Sequence, residues 1–111
     1  MLYNLKLLIK YGKNRYRKYQ RGYSNMATEN IILKEVCPYG NPVARSHARR
    51  ILRDKDEFKE VIFDFNGIEF MGQGFADEIF RVFQNAHPDI VLRPINANEA
   101  VLGMIQHVIR A

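Results

Sequence analysis

One cysteine, Cys37, stands in 111 residues. It excludes an internal disulfide and has no metal-ligand companion at a useful spacing, so a reducing, cytoplasmic setting is the default. Long apolar runs are missing too. Nothing approaches the roughly 20 residues that span a bilayer. The run Leu7, Leu8, Ile9 is too short for the apolar stretch of a secretory signal. Histidine is sparse, and His47, His87 and His107 share no metal-ligand spacing. His47, at an apolar-face position, reads as a half-buried histidine with its partners satisfied. No Ser, Cys or Thr has a recognisable base beside it, and Asp64 and Glu69 flank a bend without further support. The expectation is a protein that is not an enzyme and needs no cofactor or metal.

Acid is absent from the first 28 residues, which carry Lys6, Lys10, Lys13, Arg15, Arg17, Lys18 and Arg21. Residues 29–111 hold ten basic and twelve acidic side chains, so the net charge of +5 belongs to the first segment. Five of the six tyrosines lie there as well. The division is a basic, tyrosine-rich arm at 1–28 and a near-neutral domain at 29–111. Cations interleaved with aromatics suit a nucleic-acid backbone and its stacked bases. The arm is equally readable as a disordered tail, or as an upstream extension if the protein starts at Met26. An apolar content of 47% with 12% aromatics is that of one globular domain.

The pattern over 31–36, IILKEV, predicts a strand, closed by Pro38, Gly40 and Asn41. Asn41-Pro42 predicts a helix start, with Val43, His47, Ala48, Ile51 and Leu52 on its apolar face as far as Arg53. Arg45, Arg49, Arg50 and Arg53 make its other face basic, within reach of the acids at 54, 56, 57 and 60. Val61, Ile62, Phe63 and Phe65 predict a buried central strand. After Gly72-Gln73-Gly74, a helix to about Ala86 is expected to bury Phe75, Ile79, Val82 and Phe83 and to expose Asp77, Glu78, Arg81 and Gln84. A third strand spans 90–94, where Pro94 marks an end or an edge. Asn96 is the expected cap of a last helix that buries Val101, Met104, Ile105 and Val108. Alternating β-α-β-α-β-α with short connectors predicts an α/β domain with a largely parallel sheet. Residues 3–9 suit either an extra edge strand or a short helix.

The motifs SHARRIL, FDFNGIEFMGQGFADEIFRVF and PINANEAV resemble the STAS-like family. These are small bacterial domains related to the sulphate-transporter and anti-sigma-factor-antagonist fold. The resemblance implies a non-catalytic interaction module in bacterial regulation. It implies docking on a histidine-kinase-like ATPase or similar switch protein through the loop at 72–75 and the helix after it. Gly72, Gln73, Gly74, Phe75, Asp77, Glu78 and Arg81 are the implied contacts. Better-understood antagonists carry an Asp-Ser-Ser-Gly loop whose serine is phosphorylated. Here Met71-Gly72-Gln73-Gly74 has no hydroxyl, so a phosphoswitch is not expected in this loop. The residues leave two further readings of it open: a purely structural turn, and an anion site at a helix start, which Asp77 and Glu78 would oppose. The rival function is nucleic-acid contact through Lys13, Arg15, Arg17, Lys18 and Arg21, helped by Arg45, Arg49, Arg50 and Arg53.

Overall fold

Alternate side chains of one strand set the architecture. In β2 (Glu60–Asp64), Val61 and Phe63 are fully buried, whereas Glu60, Ile62 and Asp64 on the other face are half-buried. The computed structural model describes residues 27–110, and β2 is the centre of a parallel three-stranded sheet ordered β1-β2-β3. β1 (Thr28–Ile32) places Ile31 beside Phe63, and β3 (Val91–Ile95) places Leu92 beside Val61. Helices α2 (Arg45–Leu52) and α4 (Glu99–Ile109) and the helical segment α3 (residues 73–86) cover that apolar face. Right-handed crossovers in this strand order put both connecting helices on one side of the sheet. The opposite face carries Asn30, Ile62 and Arg93 in one row and Ile32, Asp64 and Ile95 in the next. The predicted α/β order and parallel sheet are thus what the chain adopts. Pro94 lies in an edge strand, where a missing N–H costs no ladder bond on the open side.

Four local expectations are corrected. The strand predicted over 31–36 ends at Ile32, opposite the last residue of β2, and a helical turn α1 (Leu33–Val36) follows. With no partner strand left to pair, the chain turns inward and buries Leu33 completely. The second helix starts at Arg45 rather than at Asn41-Pro42, because the Asn41 side chain is bonded elsewhere. Asn98, not Asn96, caps α4, and its Oδ1 accepts from the Val101 N–H at 2.9 Å. Asn96 instead adopts left-handed backbone at φ 55°. Finally, α3 is not α-helical throughout, since Glu78–Phe83 is π-helix between α-helical Gln73–Asp77 and Gln84–Ala86. The wider turn shifts the buried face. Ala76 and Phe80 join Phe75, Ile79 and Phe83 in the core, and Val82 is only half-buried. Asp77, Glu78 and Gln84 are buried as well, against the exposed face predicted for them.

The α4 face is as expected, with Val101, Ile105 and Val108 buried and Met104 packed partly against them. Each fully buried apolar side chain stabilises such a core by roughly 1.5–3 kcal/mol. Residues 3–9, the cations Lys13, Arg15, Arg17, Lys18 and Arg21, and Met26 lie outside the described residues.

Candidate functional site

The loop from β2 to α3 leaves the sheet at its C-terminal rim, where parallel α/β sheets usually place their sites. The Phe65 N–H donates to the Ile95 carbonyl at 2.9 Å, and the Ile68 N–H to that of Phe65 at 2.9 Å. Gly67, at φ +80°, supplies the left-handed residue of this bend. Phe65, Ile68 and Met71 point into the core, whereas Glu69 and Phe70 face out, with Phe70 48% exposed.

Two asparagines from elsewhere in the chain hold the loop backbone. Asn41 Oδ1 accepts from the N–H groups of Glu69 (3.1 Å) and Phe70 (3.4 Å). On the other side, Asn98 Nδ2 donates to the carbonyls of Glu69 (2.9 Å) and Ile68 (3.4 Å). A third, Asn96, donates to Asp64 Oδ1 at 2.9 Å, which also accepts from the Asn66 N–H at 3.0 Å. These bonds, the Asn96 side chain first, hold the Asp64 carboxyl below its ordinary value.

Residues 72–75 then pack against the strand-like stretch before α2. The Gly72 N–H donates to the Pro42 carbonyl at 2.8 Å, and the Phe75 N–H to that of Val43 at 3.2 Å. These bonds occupy two of the backbone donors that an anion site at this helix start would use. A β-carbon on Gly72 would come within 2.9 Å of both the Val43 Cα and its carbonyl oxygen, so close approach demands glycine there. Gly74 is different: its β-carbon would meet Arg45 Cβ, Arg45 N and the Val43 carbonyl oxygen at an ordinary 3.6–3.8 Å.

Beyond the loop, Asp77 and Glu78 turn towards α2 instead of solvent. Arg45 Nη1 lies 2.9 Å from Asp77 Oδ2 and 3.1 Å from Glu78 Oε1, and Arg49 Nε lies 3.4 Å from Glu78 Oε1. Arg81 completes the cluster through two bonds to Asp77, one of them Nη2 to Oδ2 at 2.8 Å. Arg81 is the main reason the Asp77 carboxyl falls to about 2; burial opposes the drop and Arg45 adds to it. Arg45 and Arg49, at least, are thus neutralised by acids of α3.

Of the residues expected at the interface, Gln73 is exposed, Gly72 and Gly74 are half-buried, and Phe75 is fully buried. Asp77, Glu78, Arg81, Arg45 and Arg49 form one ionic cluster, and Arg53 caps α2. Arg50 lies apart from the loop. It lines a groove of about 370 Å³ between β1, α1 and α2, together with Ile32, Val36 and His47. Sequence reasoning missed exposed Phe70 on the loop, and Val43, expected on the apolar face of the second helix, precedes that helix, packs against Gly72 and is 53% exposed. Alternation gives no signal for Phe70, since it would place Phe70 on the face of Ile68; the inward residues Phe65, Ile68 and Met71 are instead spaced by three.

His47 is half-buried as expected. Its Nδ1 lies 3.7 Å from Cys37 Sγ, and its ring meets Phe75 edge-on at 6.0 Å. Burial pushes the Cys37 thiol up, away from the reactive thiolate. Among the described residues, no cluster of three or more His, Cys, Asp or Glu is placed to hold a metal, and no helix is long and apolar enough to cross a membrane.

The family described as a STAS-like domain of unknown function matches residues 47–102, from within α2 to the start of α4. The chain belongs to this family. Its match includes the whole β2 strand, the loop and α3, whereas Asn41, Pro42, Val43 and Arg45, which contact them, precede the matched residues. No curated protein and no solved structure matches the chain at a significant level.

Proposed function

We propose that this STAS-like domain is a non-catalytic docking module in bacterial regulation, and that it binds a histidine-kinase-like ATPase or similar switch protein. Phe70 and Val43 are the anchors, and Gln73 contributes a hydrogen bond at their margin. The observation that carries the reading is Phe70, an aromatic half-exposed on a loop whose backbone is clamped by Asn41 and Asn98. A loop ordered before it meets its partner loses little entropy on binding, and aromatic anchors dominate such interfaces. Asp77 and Glu78 act from behind, by fixing α3 against α2. With no hydroxyl at 71–74, regulation acts somewhere other than by phosphorylation of this loop. The nucleic-acid reading is led by Lys13, Arg15, Arg17, Lys18 and Arg21, which lie outside the described residues, so its support is that of the sequence alone.

The test is a pull-down from nuclease-treated host lysate with the full chain and its Phe70→Ser variant, followed by titration of the purified partner. A protein retained by wild type and weakened by roughly 2 kcal/mol or more in the variant is expected of an aromatic hot spot. Equal retention by a folded Phe70→Ser protein would refute the loop as the contact. Binding of single-stranded RNA by the full chain, falling steeply with salt, would favour the rival.

A further inference from the structure

In sequence, the stretch after the loop is acidic; in three dimensions its surface is cationic. The side chains of Asp77 and Glu78 are only 10% and 11% exposed, whereas those of Arg45, Arg49 and Arg81 are 39%, 64% and 41% exposed. Three guanidinium groups thus enclose two carboxylates, leaving one excess positive charge with the cations outermost. Arg49 approaches Glu78 through Nε at 3.4 Å and its side chain is 64% exposed, so its guanidinium is open to a further acceptor from solvent. The cluster adjoins the apolar anchors. Arg45 lies two residues beyond Val43 and packs beside Gly74, and Arg49 follows one helical turn later.

We propose, resting on the docking reading above, that the partner surface is acidic: an apolar recess for Phe70 and Val43, with carboxylates on one side that reach Arg45, Arg49 and Arg81. Glu69, next to Phe70, is the acid of the loop itself and faces out. The partner's carboxylates therefore lie on the Val43 side, and the Glu69 side is left to neutral or basic groups. Rim charges of this kind steer association and set its salt dependence.

Selection of a random peptide library displayed on phage against the full chain tests this, with Phe70→Ser and Arg49→Glu as parallel targets and circular dichroism as the check on folding. The expected winners carry Asp or Glu within a few positions of an aromatic or aliphatic anchor. Their binding is lost on Phe70→Ser and weakened about tenfold or more on Arg49→Glu. Winners that are neutral or basic, or indifferent to Arg49→Glu, yet need Phe70, overturn the acidic partner and leave the docking loop standing. Winners indifferent to both substitutions, or no winners at all, overturn the loop as well. Oligouridylate bound through Arg49 in place of peptide would assign the cationic surface to nucleic acid and overturn the inference.

Discussion

A methyl group at residue 72 has nowhere to go, because the backbone of Val43 already fills the space at 2.9 Å. Gly72→Ala is expected to destabilise the domain by about 1–3 kcal/mol, as overpacking does. At Gly74 the same change meets open van der Waals contact, and the helical position favours alanine by up to about 1 kcal/mol. Urea denaturation of the two variants should therefore shift in opposite directions. Asp77 gives the pH counterpart. Its folded carboxyl titrates at about 2, below the ordinary carboxylate value, so the unfolded chain takes up the proton first as pH falls. The stabilisation from the cluster is complete above roughly pH 5 and lost progressively towards pH 2. Asp77→Asn removes that dependence, so urea midpoints of wild type and variant should converge between pH 7 and pH 2. An unchanged gap would show that the ion pairs contribute nothing. These residue roles were only partly legible in the sequence. Asp77 and Glu78 read as solvated because Arg45 and Arg49, which draw them towards α2, lie about thirty positions away; only the Asp77–Arg81 pair, four residues apart, is local. Asn41 reads only as a turn and helix-start residue and Asn98 is passed over in favour of Asn96, for the same reason: their partners at 68–70 are brought near by the fold alone.

Elements were easier to read than contacts, and the failures follow from how elements end. The apolar pattern around Val61 identified β2 within one residue, because a central strand's burial is written in its own side chains. The end of β1 was not, since it is fixed by where β2 stops. In α3 the period of 3.6 assigned Val82 to the core and left out Phe80; a π-helical stretch made the opposite true. That stretch sets up a contrast. Deleting Val82 should let α3 relax to ordinary α-helix while both ends keep their faces. Deleting Leu102 from the regular α4 should rotate Ile105 and Val108 by about 100° off the core and unfold the domain. Thermal melts of the two single-residue deletions, read by circular dichroism, decide it. Asn98 belongs to both α4 and the loop, so Asn98→Ala should cost about 1 kcal/mol as a lost cap. It should also raise hydrogen exchange at residues 68–70, which a cap alone would not do.

Over the whole molecule, the alternation of strands and helices is enough to specify the parallel sheet that the chain adopts. A parallel sheet also has a direction. The three strands start at one rim, where Ala27 is tied to the N–H groups of Lys59 and Glu60, and finish at the rim that carries Phe70. Chain arriving ahead of residue 27 therefore enters about 16 Å, one five-residue strand, from the surface proposed to meet a partner. The arrangement resembles a plug with its cable at the back: the point of attachment and the surface proposed for contact lie at opposite ends of the same three strands.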